Sequence, residues 1–495
     1  MWRQQPQTTA TSFQGFVNLN SSNRMDSGPE ARLLVCEDEK VDHFKQRVWE
    51  ESKRVWAIAF PAMVCRVTTY GAYVVSQASF GHIREVDLAA YALVQTILVR
   101  FANGILLGMA SVTETLCGES FGAKQYDMMG VHLQRSWIVN TAVATMMVPF
   151  YIFATPLLRL LGQEEDIAVA AGSISLWFIP IMYLNVFGMT MQMYLQAQNK
   201  NMVVTWLFGI LFFVHALLSW IFVYIMDWGL PGVMIALIIA FAVKVLGEVV
   251  YIFGGWCPLT WRGFDRAAFT GLMPVLKSST SSGVMLCTQV WYNAILVLLA
   301  GYMKYATVAI SAFSICLNVS TWELMICLGF LGAVCVRVSN ELGRGNGKAA
   351  KFSVDVILYT SVIIGIFFWI LCLAFGHQIS YLFTSSEEVA KAVSDLSVPL
   401  AFSILLNNVG PVLSGVAIGC GSQGVVAIVN VCSYYVIGIP IGVLLAYAAH
   451  MEVKGIWIGM MCGMVTQTIA LLYLTWKIDW VDEVKKASKR LYHLS

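Results

Sequence analysis

Residues 63–72, MVCRVTTYGA, and residues 285–294, MLCTQVWYNA, share Met, Cys, Tyr and Ala in the same order, each pair 222 positions apart. The register persists elsewhere. Leu184, Asn185, Val203 and Val204 recur as Leu406, Asn407, Val425 and Val426, also 222 apart. Gly232, Val233 and Ala236 return as Gly455, Ile456 and Gly459 at an offset of 223, and Leu107–Gly108 as Leu331–Gly332 at 224. Ordered matches along the whole length indicate a duplicated half, a repeat that has to be recognised before any motif is read.

The duplicated segments are apolar. The 495-residue chain is 58% hydrophobic and 12% charged, far from the mixture of a soluble globular protein. Uncharged tracts at 167–199, 201–226, 278–303, 356–386 and 396–451 each exceed the roughly 20 residues a helix needs to cross a bilayer core. The last is broken by GCGSQG at 419–424 and reads as two spans joined by a tight turn. Twelve spans result, centred near residues 67, 100, 145, 181, 214, 242, 289, 322, 365, 404, 437 and 465. Six spans per half give both halves the same orientation, so a pseudo-two-fold along the membrane normal relates them, an arrangement of carriers. The expectation is an all-α, multi-pass membrane protein with two six-helix lobes.

Basic residues assign sides. The amino-terminal tail, the loops after even-numbered spans and the carboxy-terminal segment hold 23 Lys and Arg, against five on the opposite face (Arg84, Arg159, Lys304, Lys391, Lys454). Both termini are thus expected to be cytosolic. Residues 1–50 lack the apolar stretch of a cleavable signal and read as a disordered cytosolic tail. The lobes are expected over 51–256 and 277–477, separated by a cytosolic linker at 257–276 and followed by a cytosolic tail at 478–495.

An enzyme would need a catalytic constellation, and none is legible; no HExxH or paired acidic motif occurs among the seven scattered histidines. GRGNGK (343–348) departs from a phosphate loop at Leu342 and Ala349 and reads as a helix-breaking turn. The twelve cysteines lack CxxC spacing, so no metal or disulfide is expected, and no cofactor. Net charge is +2 without a basic run, which gives no reason to expect nucleic acid. A channel would expose a pore motif or a ring of charge. A carrier is left as the class.

GMASVTETLCGESFGAKQYDMMGVHLQRSW (108–137), RVSNELGRGNGKAAKFSV (337–354), PVLSGVAIGCGSQ (411–423) and VKGIWIGM (453–460) resemble the multidrug and toxic compound extrusion (MATE) transporters, in particular their plant DETOXIFICATION branch, over about residues 45–485. The resemblance implies two lobes in a V, Pro61 as the proline that bends the first helix, and export of bulky organic solutes, often cationic or glycosylated, in exchange for protons. A plasma-membrane or vacuolar location, with no targeting signal legible to choose between them, and a monomer are expected. Similar plant sequences carry Glu where this chain has Gln289, and some eukaryotic relatives carry Asp where it has Asn407.

Within the spans, Glu323 lies in the otherwise uncharged run CLNVSTWELMICLGF (316–330). A charge at mid-bilayer costs about 2.5–3.5 kcal/mol, so it should face a cavity or a partner. Three readings stay open for it: a proton carrier, a carboxylate satisfied by Ser320 or Thr321, or a latch with Arg100, its counterpart in the other half. Glu114 is a second coupling candidate. Lys244 and Glu248, one turn apart, are expected to neutralise each other, and His215 to be a satisfied core histidine. For the solute, Gln289, Tyr292 and Asn293 share a helical face on span 7, with Trp291 off that face and Asn407 on span 10. The function expected is a secondary-active antiporter of organic metabolites or xenobiotics working by alternating access; the alternatives are a carrier with other or no ion coupling, or a lipid-flipping or receptor protein.

Overall fold

The computed structural model describes residues 29–301, 306–381 and 387–494, and among these there is no strand. Twelve long helices follow one another: Phe44–Gly81 (α1), Val86–Gly122 (α2), the bent pair Tyr126–Ile152 and Ala154–Leu160 (α3), Glu165–Ala197 (α4), Asn201–Ile225 (α5), Gly229–Trp256 (α6), Leu272–Gly301 (α7), Ile315–Gly343 (α8), Gly347–Phe375 (α9), Ser397–Gly419 (α10), Gln423–Ala448 (α11) and Lys454–Trp476 (α12). Ten are long and apolar enough to cross a membrane, and the bent α3 makes an eleventh. The thirty-residue α7 completes the expected twelve. A shorter amphipathic helix, Trp480–Leu494 (α13), follows.

The bend of 62° in α3 falls at Phe153, four residues after Pro149 and three before Pro156. Proline supplies no N–H to the helical ladder, and two of them around one residue end the ladder there. Pro61, by contrast, is buried within an uninterrupted α1.

Duplication is visible in the turns. Lys124 and Gly345 close α2 and α8 in the left-handed region, Asn199 and Gly421 close α4 and α10, and Asp227 and His450 follow α5 and α11. The pairs are 221, 222 and 223 positions apart. Ahead of the last pair, α5 and α11 both end in a five-residue π turn, Ile221–Ile225 and Leu444–Ala448. A non-glycine residue rarely adopts a left-handed backbone, so its recurrence in register is stronger evidence of repetition than residue identity.

Each half has its own apolar core. Phe80, Tyr91, Phe178 and Phe241 are buried together in the first, and Tyr292, Leu296, Tyr434 and Trp457 in the second. The start of α1 crosses over: Val55, Ile58, Ala59 and Met63 pack on Phe330, Val334 and Val416 of the second half. On the face bearing the carboxy terminus, α2 and α8 meet backbone to backbone. A Cβ at Gly118 would lie 2.0 Å from Ser339 Oγ, and one at Gly122 2.1 Å from the Asn340 carbonyl oxygen. Only glycine permits that approach.

Three expected boundaries shift. The first helix begins at Pro29, so residues 29–50 of the expected disordered tail are helical, while 1–28 lie outside the described residues. The linker carries a 3₁₀ turn at Arg266–Phe269 and already contains the start of α7 at Leu272. The final segment is a docked helix, with Ala487 and Leu491 buried.

Candidate functional site

Ser320, Glu323 and Cys327 recur every three to four residues on α8 and therefore share one face. That face meets α10. Glu323 is 4% exposed, and its Oε1 accepts hydrogen bonds from Asn408 Nδ2 at 2.6 Å and Cys327 Sγ at 2.8 Å. Its Oε2 has no partner among the described residues. Asn408 is fully buried; Nδ2 also donates to the Ile404 carbonyl at 2.9 Å, and Ser361 of α9 donates to the Asn408 carbonyl. A Cβ at Gly365 would lie 3.1 Å from the Asn408 side chain, so α9 holds the amide from behind. Beside this cluster, Asn407 Nδ2 donates to Ser320 Oγ at 3.0 Å.

Among the described residues, no cation is among the groups acting on Glu323. The other buried carboxylates differ. Glu51 is held by Arg337, with Nε to Oε1 at 2.8 Å, and Glu341 by Arg337 and Arg344 at 3.0 and 2.9 Å. Asp87 pairs with Arg84, Glu119 with Arg490, Glu248 with Lys244 and Glu483 with Lys486. Glu114 lies within electrostatic reach of Arg66. Among the described residues, Glu323 is the one buried carboxylate served only by neutral groups. An amide is the partner that can serve both of its states, because Nδ2 donates to a carboxylate and, after rotation, Oδ1 accepts from a carboxylic acid.

The remaining expected residues are dispersed. Arg100 is exposed on α2, directly after a π turn at Gln95–Val99, and is not brought to Glu323; the latch between them is not formed. Glu114, 1% exposed, sits in the seam between the halves. With Arg66, Ser111, Gln192 and Gln196 it lines the polar wall of a cavity of about 40 Å³, room for about one water, and the opposite wall is Leu286, Leu328, Leu331 and Ile418 of the second half. Lys244 Nζ and Glu248 Oε1 are 3.8 Å apart and buried. His215 has hydroxyl partners at both ring nitrogens, Ser76 at 2.9 Å and Ser219 at 3.3 Å.

On α7 the expected face is reversed. Tyr292 is 2% exposed and turned into the second half, stacked on Tyr434 with centroids 4.5 Å apart. Trp291, expected off the solute face, is 47% exposed and reaches Phe101 of the first half at 5.3 Å. A second aromatic contact, Tyr70 to Trp322 at 5.0 Å, also joins the halves. Gln289 is half-buried, and the side chain of Asn293 lies outside the described residues. Tyr292 is claimed instead by packing against α11 and α12.

Sequence reasoning passed over Asn408, Cys327 and Ser361. The signal was the adjacent Asn407–Asn408 pair, of which only the first follows the repeat register. Glu119 and Arg490 were also missed, since 371 residues separate them.

The MatE family model matches residues 61–221 and 282–444, one stretch in each repeat. Protein DETOXIFICATION 24 of Arabidopsis thaliana is 52% identical over 449 residues, covering 91% of this chain and 90% of the relative. Protein DETOXIFICATION 25 of the same plant is 51% identical with the same coverage. The crystal structure of the eukaryotic MATE transporter AtDTX14 superposes with a TM-score of 0.84 at 28% identity, covering 90% of this chain and 99% of that one.

Proposed function

Because the chain belongs to the MATE family, whose members are membrane transporters and not enzymes, we propose that it exports organic solutes in exchange for protons, with Glu323 as the proton carrier and Asn408 as its positioning partner. The observation that carries this reading is that Glu323, among the described residues, is held by an amide and a thiol and by no cation. A carboxylate fixed by an arginine or lysine stays ionised, whereas one held by an amide and a thiol in a water-poor setting can gain and lose a proton as its surroundings change.

The cycle follows from this chemistry. With the cleft open to the proton-rich side, Glu323 takes a proton, and Asn408 rotates so that its Oδ1 accepts the hydrogen bond of the carboxylic acid. Protonation removes the buried charge and lets α8, α9 and α10 repack. When the cleft opens to the other side, Glu323 releases the proton, and the restored carboxylate favours a cationic or hydroxylated solute. Trp291 and Trp322, half-exposed where the halves meet, supply aromatic faces for a planar or cationic body. Gln289, Asn293 and Asn407 are amides that would orient it. The face bearing the carboxy terminus, rich in Lys and Arg, is taken as cytosolic, and its closed seam corresponds to a cleft facing outward.

Efflux of a cationic dye from proteoliposomes tests the reading. Wild-type flux should follow an imposed pH gradient, and Glu323→Gln should bind the dye but ignore the gradient. Gradient-independent flux in wild type would mean a facilitator.

A further inference from the structure

The amphipathic α13 packs its buried Ala487 and Leu491 side against α8 and α9 of the second half, while Val481 and Tyr492 stay exposed. Arg490 reaches beyond that interface. Its guanidinium lies over the α10–α11 turn, where a Cβ on Gly421 would come within 2.8 Å of Nη1. Gly421 has φ +70, so turn geometry and guanidinium both favour glycine there. On the far side, Arg490 donates through Nε to Glu119 Oε2 at 3.3 Å and through Nη2 to Oε1. Glu119 belongs to α2 of the first half and is fully buried. Its carbonyl oxygen is also a point of close approach by α8, 2.1 Å from a Cβ built on Gly343.

One short helix packed on one half therefore also grips, through a two-pronged ion pair, the helix of the other half that forms the seam. A bidentate arginine–carboxylate pair fixes direction as well as distance. Burial works against the charge on Arg490, but Glu119 and Glu483 outweigh it and hold its pKa above the ordinary value.

We propose that α13 is a strap across the seam, with Arg490–Glu119 as its fastening, and that the strap must release each time this face opens. The inference rests on the alternating-access reading above. Opening separates α2 from α8, and α13 stays with α8 and α9 through its apolar side. Arg490 then has to leave Glu119, so the pair biases the molecule toward the state in which this face is closed. The Arg337–Glu51 pair also crosses between the halves, through α1, but it lies within the helices themselves and needs no added segment.

The test reads the seam without solute or gradient, so it fails independently of the coupling claim. Ser339, fully buried against Gly118, reports on opening. In Ser339→Cys, with Cys36, Cys287, Cys432 and Cys462 replaced by serine, labelling by a membrane-impermeant maleimide from the carboxy-terminal side should be slow. Adding Arg490→Ala should speed it about tenfold, as expected for losing one charge-assisted pair. Arg490→Glu with Glu119→Arg should return it toward the starting rate. Should Arg490→Ala fail to insert, Arg490→Lys serves in the same assay, with an intermediate rate expected because lysine cannot bind both oxygens in the plane. Labelling at the unmodified rate in whichever of the two inserts would overturn the strap, as would a swap no slower than Arg490→Ala.

Discussion

Asn408 Nδ2 stands 2.6 Å from Glu323 Oε1, across the contact between α10 and α8. The other buried carboxylates among the described residues are ion-paired, except Glu114, which Arg66 reaches only electrostatically, so this amide takes the place of a counter-charge. Replacing Asn408 with leucine, similar in size but unable to donate or accept, should leave Glu323 without its shortest hydrogen bond. The protein should still assemble, while gradient-driven flux falls about tenfold or more. Flux measured at matched protein content checks this; wild-type flux in Asn408→Leu would remove the amide from the mechanism.

The buried Lys244–Glu248 pair of α6 makes a contrasting prediction. Breaking it from one side with Lys244→Met strands a carboxylate in an apolar core and should cost about 3–5 kcal/mol. Removing both charges, Lys244→Met with Glu248→Gln, should restore most of that loss. Thermal unfolding in detergent distinguishes the two, and equal destabilisation in single and double variants would show that the pair is not a neutralising unit.

Steric reasoning at the seam is equally testable. Alanine at Gly118 would place its Cβ 2.0 Å from Ser339 Oγ and 2.8 Å from Ser339 Cβ. Gly118→Ala should force α2 and α8 apart, with a cost of about 1–3 kcal/mol. Ser339→Gly on the same background should recover stability. Without such recovery in the melting temperature, the clash is not what limits the position.

Trp291 and Tyr292 should part company. Trp291→Ala removes a half-exposed ring from the meeting point of the halves, and the apparent KM for an aromatic cation should rise about five- to tenfold with little change in stability. Tyr292→Ala deletes a buried ring stacked on Tyr434, so stability should drop by about 3–5 kcal/mol instead. Solute titrations and melting curves on both variants settle the assignment; a KM effect in Tyr292→Phe alone would reverse it.

Much of the architecture was legible before any coordinates. The 222-residue register and the uncharged tracts specify twelve helices in two related halves, because bilayer thickness and backbone hydrogen bonding leave few alternatives. Glu323 was legible as a candidate for the same reason: a lone acid in an apolar helix stands out. Its partner was not. Helical spacing places Tyr292 on a face but does not say what that face meets, and the neighbours that bury it come from α11 and α12. Asn407 and Asn408 are adjacent in sequence yet point to different partners, Ser320 and Glu323, a distinction decided by the rotation of α10. Arg490 looks like one of several basic residues in a polar tail until α13 is docked over α2.

The measurement closest to the central claim counts protons. A pH-sensitive dye inside proteoliposomes, recorded while a dissipating solute gradient drives exchange, reads proton movement per solute moved for wild type and for Glu323→Gln. The account predicts stoichiometric proton counterflow in wild type and none in the variant, with solute binding retained. Undiminished proton counterflow in Glu323→Gln would contradict it and move the coupling group elsewhere, with Glu114 and Arg66 at the seam the next place to look.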